Sequence, residues 1–104
     1  MVEIYGNTVD NEARCTHYHS MVDIIAIKFK CCNKYYPCYK CHEENEKHMT
    51  KRWSESEFDQ RVVLCGVCQY EMKISEYMMS EACPNCASHF NTRCLYHYHH
   101  YFEI

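Results

Sequence analysis

The chain is short of the residues that break or loosen a fold: its 104 positions include only two glycines and two prolines. No glycine spacing of the phosphate-cradling kind is present. Nothing resembles a nucleophile and base triad or a paired-carboxylate site, so no enzymatic activity is expected. The amino terminus, MVEIYGNTVDNEARC, has no basic start, no apolar stretch of signal-peptide length and no cleavage-site pattern. Export is therefore not expected, and the expected location is the cytoplasm. No segment is long and apolar enough to span a bilayer. Charge of one sign is lacking too, with a formal net charge of −3. Residues 28–52 hold seven Lys or Arg against three Glu, four net positive charges, which leaves seven net negative ones on the remainder. Nucleic-acid domains concentrate a stronger positive field, and no recognition helix of the C2H2 finger kind is seen. The basic run reads as a solvated face, and neither nucleic acid nor membrane is expected as a partner.

What the chain has in abundance is soft metal ligands, ten cysteines and eight histidines. A core of this size is marginal unless something else supports it, and the cysteine content points to a cross-linked or metal-stapled domain. In a reducing compartment, cysteines two residues apart indicate metal binding rather than structural bridges. Ten tyrosines add bulk that can be half buried with the hydroxyl kept wet.

The strongest signal lies in the second half, where Cys65-Gly-Val-Cys68 and Cys83-Pro-Asn-Cys86 form two CxxC hooks with fourteen residues between them. Two thiolates on a tight loop can grip one tetrahedral ion while backbone N–H groups of the loop point at the sulfurs. Gly66 suits such a bend by tolerating positive φ and Pro84 by fixing φ. A thioredoxin-like redox pair would need a helix start inside a βαβ pattern, and neither hook has that setting. Val62 to Leu64 predict a short strand into the first hook, and Tyr70, Met72 and Ile74 alternate as a half-buried strand leading out of it. Tyr77, Met78 and Met79, on the way back to the second hook, read as core packing.

The first half presents Cys15 and His17, then Cys31 and Cys32, then Cys38, Cys41 and His42, then His48, enough for two tetrahedral sites. Val22 to Lys30 predict a strand with Ile25, Ile27 and Phe29 on one face, delivering Cys31 and Cys32. Adjacent residues of an extended chain point to opposite sides, so Cys41 and His42 belong more easily to different metals. On one continuous helix His42 and His48 would stand about 120° apart, so the chain between them must turn or unwind if both reach one ion. Two assignments remain. One joins Cys15, His17, Cys38 and Cys41, leaving Cys31, Cys32, His42 and His48; the other joins Cys15, His17, Cys31 and Cys32, leaving Cys38, Cys41, His42 and His48. His19 reads as a surface residue or a neighbour of the ligands.

CTHY at 15–18, FKCCNKYYPCYKCHEENEKH at 29–48, Arg52-Trp53, VVLCGVC at 62–68 and CPNC at 83–86 together resemble the CHY-type zinc finger family, over about residues 14–102. The resemblance implies three Zn2+ ions with interleaved ligands in the first half, which favours the first assignment. The expected fold is a small, irregular zinc-stapled α+β domain of short β-hairpins and a zinc ribbon with little helix. It is read as a single domain over 1–104, with a two-zinc N-terminal part (14–53), a one-zinc ribbon (61–90) and a tail (91–104). Some family members are ubiquitin ligases that carry a RING, and another type is a small helper of protein assembly in the mitochondrial intermembrane space. This chain has no room for a RING and looks like the short free-standing members found in bacteria, so ligase activity is not carried over.

Two functions are consistent with this. The first is a structural zinc module that presents a surface to another protein, with Trp53, Tyr35, Tyr36 and Phe58 either on that surface or packed around the metal. The alternative is a zinc-handling or thiol-redox helper that exchanges metal or electrons with a client. In the tail, Cys94 and His97 stand in CxxH spacing and offer a fourth zinc site that His89, His99 or His100 would complete. The competing reading has Tyr96, Tyr98, Tyr101 and Phe102 packing an end strand on the ribbon, with the histidines exposed and Cys94 a buried thiol. Glu43, Glu44 and Glu46 read as a soluble acidic stretch.

Overall fold

The computed structural model describes residues 3–10, 12–46, 48, 51–90 and 101–102. The described residues form four strands, β1 (Ile25–Lys28), β2 (Tyr35–Tyr36), β3 (Arg61–Cys65) and β4 (Glu71–Lys73). They make one antiparallel sheet in the order β2-β1-β3-β4. Ile25 pairs with Cys65 and Ala26 with Leu64, so the two halves of the chain share the sheet through its two central strands. The small, zinc-stapled α+β class expected from the sequence is the class observed, with two short helices beside the sheet.

Alternation along β1 sends Ile25 and Ile27 to the larger apolar core, with Phe29 following beyond the strand, as expected. The opposite face is buried as well: Ala26 and Leu64 pack with Ala13, Tyr35 and the partly buried Ile4. Strands covered on both sides read as unbroken apolar runs, which is why IIAI and VVL carry no polar position. Between Arg61 and Val63 the register with β4 shifts by one residue, and the extra residue, Val62, joins Val63 in the larger core.

Helix α1 (Tyr39–Asn45) starts at Cys38, whose Sγ accepts the Cys41 N–H at 3.4 Å and so caps the first turn. It ends at Glu46, where the backbone is extended at φ −121°, ψ 143°. Helix α2 (Ile74–Met78) follows β4 directly, so the expected outgoing strand stops one residue early and Ile74 opens the helix. Its first N–H groups find partners in the segment that leads into β3, Ile74 on Gln60 O at 3.2 Å and Ser75 on Phe58 O at 3.0 Å. Tyr77 is buried and Met78 packs against the core, but Met79 is 88% exposed, correcting its expected role in packing. Met79 lies past the end of α2, off the face that Ile74 and Tyr77 bury.

Trp53 is buried, donates from Nε1 to Lys28 O at 2.8 Å, and donates its N–H to Tyr101 O at 2.8 Å. Tyr101 Oη in turn accepts the Tyr39 N–H at 3.0 Å, and Phe102 is fully buried beside Trp53. Burying a ring of that size contributes about 2–3 kcal/mol relative to leaving it exposed. Tyr101 and Phe102 therefore pack as core, against Trp53 and the start of α1, in the same apolar cluster as Val62, Met72 and Phe90 of the ribbon. Tyr35 and Tyr36 are buried and Phe58 is partly so, which makes these aromatics packing residues. The basic run is partnered locally: Lys28, Lys30, Lys34 and Lys40 stand over the rings of Tyr35, Trp53, Tyr5 and Tyr18 at 5.3–5.9 Å.

Candidate metal centres

Three turns of the same construction present most of the cysteines. In each, the N–H of the first residue donates to the carbonyl five positions on: Phe29 to Lys34 at 3.0 Å, Cys65 to Tyr70 at 3.0 Å and Cys83 to Ser88 at 2.9 Å. In each, the N–H of the fifth residue returns to the first carbonyl: Asn33 to Phe29 at 2.7 Å, Gln69 to Cys65 at 2.8 Å and Ala87 to Cys83 at 2.9 Å. That fifth residue has positive φ, 56° at Asn33, 68° at Gln69 and 64° at Ala87. The first of these turns lacks a cysteine at its opening position, where Phe29 stands, and carries Cys31 and Cys32 instead.

Positive φ thus falls on the residue after each hook, and Gly66 is not among the positive-φ residues, contrary to the expectation. What Gly66 supplies is space, since a Cβ there would lie 2.2 Å from Glu12 O. The left-handed region costs a non-glycine residue roughly 1–2 kcal/mol, partly offset by the freedom glycine loses on folding. Ala87→Gly is therefore expected to stabilise the metal-loaded protein by about 0.5–1 kcal/mol, read as a raised denaturation midpoint.

The three turns, α1 with its N-cap Cys38, the Cys15–His17 segment and His48 beyond the helix bring twelve ligand side chains into three groups of four, within each of which the ligand atoms lie within 4.8 Å of one another. The grouping matches the first of the two assignments open in the sequence. Cys15, His17, Cys38 and Cys41 form the first group, Cys31, Cys32, His42 and His48 the second, and Cys65, Cys68, Cys83 and Cys86 the third. His19 and His89 are exposed and belong to none of them. Cys94, His97, His99 and His100, with Tyr96 and Tyr98, lie outside the described residues.

A tetrahedral zinc site has edges of about 3.8 Å between sulfurs and about 3.5 Å between sulfur and nitrogen, given its usual bond lengths. In the first group, Cys15 Sγ lies 3.7 Å from Cys38 Sγ, and His17 Nδ1 stands 3.9, 3.5 and 3.4 Å from the sulfurs of Cys15, Cys38 and Cys41. In the third, Cys65 and Cys86 are 3.7 Å apart and Cys68 and Cys83 3.6 Å. In the second, Cys31 Sγ is 4.0 Å from Cys32 Sγ and 3.1 Å from His42 Nε2. The donor sets and spacings fit a tetrahedral ion in each group. Backbone N–H groups also point at sulfur as the hook geometry predicts, Asn85 to Cys83 Sγ at 3.4 Å among them.

Electrostatics point the same way. Hydrogen bonding between Cys15 and Cys38 lets one of the pair ionise and pushes the Cys38 thiol up. Burial pushes up Cys65, Cys41 and Cys83. Cys86 is drawn down to about 6, first by the hydroxyl of Ser88. Thiols this crowded cannot all be thiolates unless a cation sits among them. Burial lowers the pKa of His42, holding the imidazole in the neutral form that ligates metal.

Two carboxylates stand behind the histidines, and the acidic-stretch reading missed them. Glu44 Oε1 accepts from His17 Nε2 at 3.0 Å, which fixes the proton on Nε2 and leaves the Nδ1 lone pair facing the sulfurs. Glu46 accepts from Tyr36 Oη and from Lys34 Nζ, and its other oxygen stands 3.7 Å from His48 Nδ1. Glu44 lies in the helix that carries Cys41 and His42, and Glu46 caps its end with an extended backbone. The amino-terminal segment was missed as well. Gly6, with φ 99°, passes so close to Cys41 that a Cβ would lie 2.9 Å from its Cβ, and Asn7 Nδ2 donates to Glu44 Oε2 at 2.6 Å.

Residues 15–101 match the model of the CHY zinc finger family. The chain is 49% identical over 100 residues to the protein called Helper of Tim protein 13 in Kluyveromyces lactis, covering 96% of this chain and 88% of that one. To the protein of the same name in Saccharomyces cerevisiae it is 45% identical over 104 residues, covering 96% and 90%. An uncharacterized protein of Schizosaccharomyces pombe is 39% identical over 100 residues, covering 96% and 88%.

Proposed function

The chain belongs to the CHY zinc finger family, and from that premise we propose that it is a three-zinc protein that assists a client protein by binding it. The observation that carries the helper reading is similarity along almost the whole chain to two proteins called Helper of Tim protein 13. In this proposal the client is a protein of the Tim type and the ions are Zn2+, one in each group of four. Four protein ligands close a zinc site to substrate water, so the ions serve the fold and the protein acts through its surface rather than by catalysis. No helix among the described residues is long and apolar enough to cross a membrane. The intermembrane-space type of the family, together with the Tim name of two relatives, makes that compartment a better-supported proposal than the cytoplasm expected at first.

The surface available to a client includes Met21 and Met79, which are 87% and 88% exposed, with Val9 and Val67 exposed as well. Flexible methionines suit a face that must adapt to a partner. The zinc-loaded protein, immobilised and offered purified Tim-type proteins, is expected to retain at least one of them, and the zinc-stripped protein none. Equal retention of all of them by both forms, or retention of none by the loaded form, would end this reading. A second reading, zinc handling, is favoured by one observation: His48 is the exposed member of an otherwise half-buried or buried group.

A further inference from the structure

The three groups are not equally enclosed. Among the twelve ligand residues, His48 alone is exposed, its side chain retaining 40% of its accessible surface. Its three companions are held firmly. Cys31 and Cys32 ride on the Phe29–Lys34 turn, closed by two backbone hydrogen bonds. His42 is fully buried in α1 and stacked on Phe29, with ring centroids 4.2 Å apart and planes within 9°. His48 follows the end of that helix, beyond the extended Glu46. The carboxylate support differs as well. His17 has Glu44 at 3.0 Å, whereas Glu46 has one oxygen engaged with Tyr36 and Lys34 and the other 3.7 Å from His48 Nδ1, outside hydrogen-bond range. Cys31 and Cys32 are half buried, as Cys68 and Cys86 are in the third group, so the exposed histidine is what sets this group apart.

We infer that Cys31, Cys32, His42 and His48 form an exchange site, in which a cysteine thiolate of a client takes the ligand position held by His48, while the other two groups stay closed. The inference rests on the reading that the groups carry zinc. The step is a ligand substitution without electron transfer. The client's thiol gives its proton to water, its sulfur forms a bond to the ion, and the bond from His48 breaks, leaving Cys31, Cys32 and His42 as the remaining protein ligands. Thiolate is the softer donor and suits zinc better than imidazole does, so the substitution needs only access. Access is what the exposed His48 provides.

The test measures zinc release from the full-length zinc-loaded protein with pyridylazoresorcinol as reporter and reduced glutathione as the incoming thiolate. One equivalent is expected to leave at least about tenfold faster than the others, at a rate that rises with glutathione. Pulsed alkylation with N-ethylmaleimide after that phase should label Cys31 and Cys32, with Cys15, Cys38, Cys41, Cys65, Cys68, Cys83 and Cys86 protected. His48→Cys, which replaces the exposed imidazole by a thiolate, should keep three ions and lose the fast phase. Release of all three ions at one rate, first labelling in another group, or a fast phase surviving in His48→Cys would overturn the inference. A starting count below three ions would overturn the zinc reading itself, so the two failures are told apart before any kinetics are run.

Discussion

Stripping the metal with a strong chelator is expected to unfold the protein, with loss of near- and far-ultraviolet circular dichroism together and recovery of both when zinc is returned. The magnitudes leave little room for a stable metal-free fold. A structural zinc site contributes on the order of 10 kcal/mol coupled to folding, whereas a whole domain is stable by roughly 5–15 kcal/mol. The ligands are also part of the core. Cys15, Cys41 and Cys65 are fully buried, and Cys65 is the last residue of β3, paired with Ile25 of β1. Remove the ions and these buried thiols face one another with their charges unbalanced, at the points where the sheet meets its turns. Retention of the full dichroism spectrum after complete removal of zinc would show that the apolar core suffices by itself.

Gly66→Ala should be among the most damaging single-methyl changes available in this chain. The added Cβ would lie 2.2 Å from Glu12 O, 2.4 Å from Glu12 C and 2.9 Å from Ala13 Cβ, and the first two are backbone atoms that no rotamer change can move. Retreat is blocked as well, because the Gly66 N–H donates to Ile24 O at 2.6 Å and the next residues carry the hook. Either the Glu12–Ala13 backbone shifts, or Cys65 and Cys68 move out of register with Cys83 and Cys86. The expected cost is about 3 kcal/mol or more, read from denaturation of the zinc-loaded protein, with one zinc ion bound less tightly than in the parent. Val67→Ala, at the exposed tip of the same hook, should fall within about 0.5 kcal/mol of the parent and serves as the control.

Much of this fold and most of the ligand grouping could be read in the sequence, because thiolates at fixed spacing leave few geometries. The first CxxC hook, with a strand on either side, is legible as the tip of a hairpin, with β3 where the apolar run places it and β4 one residue short of where the alternation ends. The need for the chain to leave the helix between His42 and His48 followed from helical geometry, and α1 does end between them. Composition hid other features. Gly66 looked like a conformational glycine because CxxC turns use positive φ, and only the approach of the Glu12 backbone shows that the requirement is for space. Glu44 and Glu46 looked like solvated charge because their partners, His17 and Tyr36, are distant in sequence or on another element. Met79 looked apolar enough to pack, but the helix face carrying Ile74 and Tyr77 turns away from it. The likeness of the Phe29–Lys34 turn to the two hooks is invisible in the sequence, since it is carried by backbone hydrogen bonds and one positive φ, with a phenylalanine in the first cysteine's place.

Native mass spectrometry of the protein expressed in zinc-containing medium bears most directly on the claim that this fold is assembled around metal. The expected mass is that of one chain plus three zinc ions, falling by one ion in a Cys65→Ser, Cys83→Ser double variant. A folded chain that carries no metal would contradict it.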